Sequence, residues 1–241
     1  MRIAVISDVH GNLVALDAVL RAIDEQPVDE LWCLGDVVGY GPRPNECVDQ
    51  IRTRAHTSLA GNHDLVVTGA IALDVFASDA GAAVRWTRAV IRDEPLAYLR
   101  TLEPQGKREG IELYHGSIRN PVWEYVIDNH TAAVCLELQQ TRVALIGHSH
   151  VALMYGYADD EFFGRLAPGG SMLDLRQGPY LLNPGSVGQP RDGDPRACYT
   201  IIDDDMVRFR RVEYPMDQTI RKIYEIPELD NFLGDRLRDG R

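Results

Sequence analysis

Arg2-Ile3-Ala4-Val5-Ile6-Ser7-Asp8-Val9-His10-Gly11-Asn12 is an apolar run that stops abruptly on a polar cluster. The pattern recurs along the chain. Leu31-Trp32-Cys33-Leu34 runs into Gly35-Asp36, and Thr57-Ser58-Leu59-Ala60 into Gly61-Asn62-His63-Asp64. Ile111-Glu112-Leu113-Tyr114 runs into His115-Gly116, and Arg142-Val143-Ala144-Leu145-Ile146 into Gly147-His148-Ser149-His150. Short apolar runs bounded by glycine and polar residues read as buried strands. Between the first of them, Leu13, Leu16, Val19, Leu20 and Ile23 recur at spacings of three and four, one buried helix face. A second helix is predicted from Pro44, a favoured first-turn residue, to just before Thr57. Strand, helix, strand, helix, strand predicts an α/β fold with a partly parallel sheet. In such sheets ligands gather beyond the carboxyl ends of the strands, where the polar clusters fall.

Further out the alternation breaks. Residues 65–105 are Ala-rich, with Phe76, Ala80, Ala83, Val84 and Trp86 at helical spacings, then Asp93 as N-cap and Pro95 near a first turn. They read as a helical insertion or cap, or as two ordinary core helices. After His150 the runs Ala152–Tyr157, Tyr180–Leu182, Cys198–Ile202 and Val207–Val212 are strand-like, separated by Gly, Pro and Asp turns. They predict a second sheet packed on the first, within one domain spanning residues 1–241. A helical tail is expected over 215–241, one or two helices around Pro227.

The bulk properties exclude several classes. With 45% hydrophobic residues in 241, a sizeable core can form. No apolar run approaches the ~18 residues of a membrane helix, and Ile3–Ile6 is too short for a signal peptide. Cys33, Cys47, Cys135 and Cys198 form no close pair, so reduced, packed thiols in a cytoplasmic protein are expected. The formal charge of −11 argues against general binding to nucleic acid or to an anionic membrane. It does not exclude a small phosphate ester, because bound cations reverse the local field. Oligomeric state is not legible.

Five of the seven histidines lie in the clusters: His10, His63, His115, His148 and His150. Any one alone would read as a packed or turn histidine, the reading kept for His56 and His130. Together with Asp8, Asp36 and Asn62 at equivalent strand ends, they point to chemistry. Carboxylate, amide and imidazole ligands suit Mn²⁺, Fe²⁺, Zn²⁺, Co²⁺ or Ni²⁺. The absence of cysteine from the clusters argues against a structural zinc site. The candidates exceed what one catalytic ion needs, so two divalent ions sharing a carboxylate, ~3.5–4 Å apart, are expected.

These segments, from Asp8-Val9-His10-Gly11-Asn12 to Gly147-His148-Ser149-His150, resemble in order and spacing the motifs of calcineurin-like metallophosphoesterases. The chain looks closest to their small bacterial and archaeal phosphodiesterase branch. The resemblance covers roughly Met1 to Cys198 and implies a four-layer αββα sandwich. It implies that Asp8, His10 and His150 hold a first ion, most often Mn²⁺, with Asp36 bridging to a second. Asn62, His115 and His148 would complete the second set. It further implies that a bridging hydroxide attacks phosphorus, with His63 beside the scissile phosphate and Asp64 orienting His63.

Asn12, Tyr40 and Arg191 are candidate substrate contacts. For Tyr40 in Gly39-Tyr40-Gly41-Pro42 a packed turn residue is the competing reading. Asn183-Pro184-Gly185-Ser186-Val187-Gly188 reads first as a structural turn. Protein phosphatases of the resembled superfamily carry arginines just after the second and third motifs to grip a dianionic monoester. Here Val37-Val38 and Leu65 stand there, which favours a phosphodiester. A non-catalytic scaffold is the alternative from another class, and the complete ligand set speaks against it.

Overall fold

The computed structural model describes every residue except Ala77 and Asp159. β1 (Arg2–Ile6), α1 (Leu13–Asp24), β2 (Glu30–Cys33), α2 (Pro44–Arg54) and β3 (Thr57–Ser58) form two successive strand–helix–strand units of one parallel ribbon, with Ile6 opposite Cys33 and Trp32 opposite Thr57. α3 (Asn62–Thr68), a 3-10 turn (Leu73–Val75), α4 (Ser78–Val90) and α5 (Asp93–Leu99) then carry the chain to a second sheet. That sheet opens with β4 (Gln105–Arg108) and β5 (Ile111–Tyr114), followed by α6 (Asn129–Leu138) and β6 (Val143–Leu145). β7 (Ala152–Ala158), β8 (Glu161–Leu166), β9 (Met172–Asp174), β10 (Tyr180–Pro184), β11 (Ala197–Asp203) and β12 (Met206–Val212) complete the strands. α7 (Asp217–Tyr224) and α8 (Phe232–Asp239) form the tail.

The sheets run β3-β2-β1-β11-β12-β9 and β4-β5-β6-β10-β7-β8. The pleat sorts β1 into two faces. Ile3 and Val5 pack with Trp32, Leu113, Leu145 and Phe209 in the core between the sheets. Ala4 and Ile6 pack with Leu16, Val19 and Ile51 beneath α1 and α2. On the far side, Ala132, Cys135 and Leu136 of α6 cover Ala144, Leu153 and Leu181 of the second sheet. The result is the four-layer αββα sandwich. All four cysteines are free and buried, and no described helix is long and apolar enough to cross a membrane.

Three expectations need correction. The strands after His150 do not form a sheet of their own. β11 and β12 extend the first sheet through antiparallel pairing of β11 on β1, while β10 joins β6 in parallel. Local pattern marks a strand but not its partner. Asp93 is the first residue of α5 and not its cap, because Arg92 takes the extended cap conformation. Asp93 acts there through the helix dipole. The third motif is also less strand than expected: β3 ends at Ser58, and the Asn62-His63-Asp64 motif itself opens α3. Missed altogether were β4, whose Gln105–Arg108 is mostly exposed and polar, the strands β8 and β9, and α6, capped by Asp128 on the N–H groups of His130 and Thr131.

Candidate metal centre

The loops leaving β1, β2 and β10 are laced together by main-chain hydrogen bonds. Asp8 N–H donates to Gly35 O at 3.0 Å and His10 N–H to Asp36 O at 2.9 Å. From the other side, Gly188 N–H donates to Asp8 O at 2.9 Å and the Ser186 hydroxyl to the same oxygen at 2.7 Å. Asn183 Nδ2 donates to Gly147 O at 2.7 Å and so ties in the loop after β6. The Asn183–Gly188 turn is therefore structural, and what it positions is the centre. Asp8, His10, Asp36, Tyr40, His148 and His150 all take positive φ, between 48° and 63°. Such backbone is uncommon outside glycine, and its concentration here marks strain held at one place.

The side chains converge. His10 Nε2 lies 2.9 Å from His150 Nε2, 3.5 Å from Asp36 Oδ2 and 3.9 Å from Asp8 Oδ1. His150 Nε2 is 3.5 Å from Asp8 Oδ1. These four residues form one donor group, and Asp36, His115 and His148 a second, so that Asp36 belongs to both. His115 Nε2 is 3.5 Å from Asp36 Oδ2 and 3.1 Å from Asn62 Oδ1, which brings the Asn62 amide oxygen to the second group. All of these side chains are buried.

Outer partners fix the tautomers. Nδ1 of His10, His115 and His150 donates to the carbonyls of Val38, Leu34 and Gln189 at 3.1, 2.8 and 2.7 Å. That leaves the Nε2 lone pairs of His10 and His150 facing inward, and the His115 Nε2 facing Asp36 and Asn62. His148 is turned the other way, with Nε2 donating to Trp123 O at 3.3 Å and Nδ1 left for the centre. Burial pushes His148 down to about 3 and holds His10 and His150 well below the usual imidazole range, so these rings are neutral at pH 7, the form in which an imidazole can take a cation. At His115 burial works the same way, but the Asp36 carboxylate beside it prevails and raises it to about 9. Asp8 has no hydrogen-bond partner at either carboxylate oxygen, and burial pushes it up to about 7. An orphan buried carboxylate among inward-facing nitrogens fits a divalent cation of the Mn²⁺ to Zn²⁺ type.

His63 lies beside both groups, its ring 4.9 Å from that of His10 and edge-on to it. Its Nδ1 is buried without a partner, and burial pushes the ring down to about 4. Gly39 makes room for it: at φ +93°, a Cβ there would stand 2.4 Å from His63 Nδ1. Asp64 does not orient His63. Its oxygens accept the N–H groups of Val37, Val38 and Gly61 at 3.2, 3.1 and 2.9 Å, so it pins the Asp36 loop to α3. The short side chain at the third position of α3 reaches back to the helix start and not sideways to its neighbour.

The rim separates the three substrate candidates. Asn12 is corrected to a structural role. Its Oδ1 caps α1 at Ala15 N–H and accepts the Thr219 hydroxyl, while its amide donates to Gly188 O and Tyr214 Oη, leaving nothing free. Tyr40 packs at 4.8 Å from His10 and 4.5 Å from His63, a wall of the site. Arg191 holds its guanidinium 5.8 Å over the Tyr40 ring, and its main-chain N–H donates to His150 O at 3.1 Å. Sequence reading missed the opposite wall. Tyr125 stacks on His148 at 4.0 Å with 10° between planes, and Phe76 lies 4.6 Å from His63 and 5.7 Å from Trp123. The only signal for it was the aromatic pair in Trp123-Glu124-Tyr125 soon after His115.

Residues 1–205 match the calcineurin-like phosphoesterase superfamily domain. The chain belongs to that superfamily. This calcineurin-like phosphoesterase is 39% identical over 246 residues to the uncharacterized protein MJ0912 of Methanocaldococcus jannaschii, covering 99% of this chain and 98% of that one. It is 41% identical to a metallophosphoesterase of Sphaerobacter thermophilus of known structure, with a TM-score of 0.89 and coverage of 100% and 99%. The phosphodiesterase YfcE of Escherichia coli is 24% identical over 217 residues, 86% of this chain and 90% of that protein. The superfamily membership makes the converged side chains the candidate metal-binding residues of a phosphoric ester hydrolase.

Proposed function

We propose that this phosphoesterase hydrolyses a small phosphodiester with two divalent cations, Mn²⁺ foremost, with Fe, Zn, Ni or Co as alternatives. The observation that carries the reading is the sharing of Asp36 between two donor groups. Asp8, His10, Asp36 and His150 would hold one cation, and Asp36, Asn62, His115 and His148 the other. Bound there, the cations supply Lewis acidity and lower the pKa of water enough for hydrolysis at neutral pH.

The protein's own groups do the rest. The carbonyls of Val38, Leu34 and Gln189 hold three imidazoles in one tautomer and one orientation. His63 is neutral at pH 7 and engages neither ring nitrogen with another described residue, so it can donate a hydrogen bond to a phosphoryl oxygen or a proton to the leaving group. Arg191 offers one guanidinium at the mouth. Val37 and Val38, where a monoesterase would carry a phosphate-gripping arginine, are fully buried core residues. One guanidinium suits a diester, which carries one charge less than a monoester. Formal charge −11 opposes a general nucleic-acid role.

The test is a metal-by-substrate screen on stripped protein, comparing bis-p-nitrophenyl phosphate with p-nitrophenyl phosphate. Higher turnover of the diester is expected, and a strong monoester preference defeats the assignment. A protein that takes up metal yet hydrolyses neither revives a scaffold role.

A further inference from the structure

His148 is held differently from the other imidazoles of the centre. The carbonyls that fix His10, His115 and His150 sit in the loops leaving β2 and β10, at 3.1, 2.8 and 2.7 Å. Those loops belong to the frame of strand ends itself. His148 leans instead on an excursion of the chain between β5 and α6. Trp123 O accepts its Nε2–H at 3.3 Å, and the Tyr125 ring lies flat on the imidazole, 4.0 Å away with 10° between planes. Tyr125 itself stays 46% exposed, so the ring rests on His148 and not in a core of its own.

The excursion is a braced turn. It starts at His115, whose carbonyl accepts Gly147 N–H at 2.8 Å, so it leaves one member of the second donor group and returns to another. Gly116 N–H donates to Pro121 O at 2.7 Å, and a Cβ at Gly116 would stand 2.6 Å from Asn120 O. Asn120 Oδ1 accepts the N–H groups of Val122 and Trp123 at 3.2 and 3.1 Å. Glu124, between the two residues that reach His148, accepts Arg119 Nε at 3.0 Å and the Ser117 hydroxyl. None of these brackets involves Asp8, His10 or His150 of the first donor group. An imidazole that binds a cation becomes electron-poor, and the electron-rich face of a phenol ring then attracts it more strongly. The stack therefore favours the cation-loaded ring over the empty one.

We propose that Trp123 and Tyr125 clamp His148 and set the affinity of the cation that Asp36, Asn62, His115 and His148 would hold, independently of the other cation. Tyr125 is a positioning residue: it acts through His148 and touches neither cation. The inference rests on the two-cation reading above and adds what tunes one of the two sites. The sites are then unequal, the first fixed by the strand ends and the second by a separate turn.

Calorimetric titration of the metal-stripped full chain with Mn²⁺ tests it. The unaltered protein should take up two cations. Tyr125→Ala should weaken one of them about tenfold, the cost of losing an outer partner of a metal-binding histidine, and leave the other unchanged. Tyr125→Phe, which keeps the ring, should bind both as the parent does. In a His148→Ala background Tyr125→Ala should cause no further loss, because the ring then has nothing to act on. Unchanged binding in Tyr125→Ala, equal weakening of both cations, or losses that add in the double variant overturn the proposal. If Tyr125→Ala does not fold, Tyr125→Leu decides: it keeps bulk without a flat ring, and full affinity there counts against the stack. Uptake of a single cation sinks the two-cation reading, and the clamp then stands or falls on whether Tyr125→Ala and His148→Ala weaken that cation non-additively. A tenfold loss in Tyr125→Ala, in a protein that hydrolyses no diester, defeats the catalytic reading and leaves the clamp standing.

Discussion

Asp8 and Glu30 are carboxylates on neighbouring parallel strands, at opposite ends. Asp8 follows the carboxyl end of β1, is fully buried, and has no hydrogen-bond partner at either oxygen. Glu30 opens β2 and accepts from Trp32 Nε1 at 2.6 Å and from Arg108 Nε and Nη2 at 2.7 and 2.6 Å. Burial pushes Asp8 up to about 7, whereas the Arg108 guanidinium pulls Glu30 down to about 2. Arg108 belongs to the second sheet, so Glu30 ties the two sheets together. Asp8 ties nothing. One end of the sandwich is satisfied by the fold itself, and the other keeps its acceptors for something the chain does not supply. Positive-φ backbone gathers at that second end, where strain is retained for function.

The contrast breaks most sharply at Asp36, which serves both donor groups. Asp36→Asn should cut diester turnover on the order of 10⁴-fold, since cation activation is worth several kcal/mol. Metal analysis should show both ions weakened, and loss of only one would undo the shared-carboxylate arrangement. His63→Ala should cost about 10²-fold or more in turnover while metal content stays near normal. If the metals leave with it, His63 is a ligand. Metal at about 100 times its dissociation constant should stabilise the protein by ~2.7 kcal/mol, read as a higher melting temperature than in chelator. No shift would mean the centre does not bind.

Asp8→Asn sharpens the comparison, because asparagine tolerates the left-handed backbone and carries no charge. The metal-free variant should be more stable than the metal-free parent by about 1 kcal/mol in denaturant melts. A loss of stability would mean that Asp8 has partners within the fold. The smallest effect is expected at the satisfied end. Glu30→Gln should lower the melting temperature by roughly 1–3 °C at pH 7. Because Glu30 is depressed from 4.5 to about 2, its contribution is present above about pH 4.5 and fades as pH falls through 2. The gap between the two proteins should close over that window, and a constant gap would point to packing instead.

Strand ends, the α1 face and the residues of the candidate metal centre were legible from the chain alone. Apolar runs and helical spacing are local, and a metal ligand must be a particular residue type whatever surrounds it. The identity of Asp36, His115 and His148 could be read in this way, and their convergence on one carboxylate is what the coordinates add. Partnership was not legible. That β11 pairs with β1 is a matter of contacts across nearly the whole chain, invisible to any window. Asn12 and Asp64 sit inside motifs and look chemical, yet their polar atoms are spent on Gly188, Thr219, Val37 and Gly61. Tyr125 over His148 carries no motif. Whether a side chain is free or already satisfied depends on which distant groups folding brings within hydrogen-bonding reach, and a short window of sequence does not contain that distance.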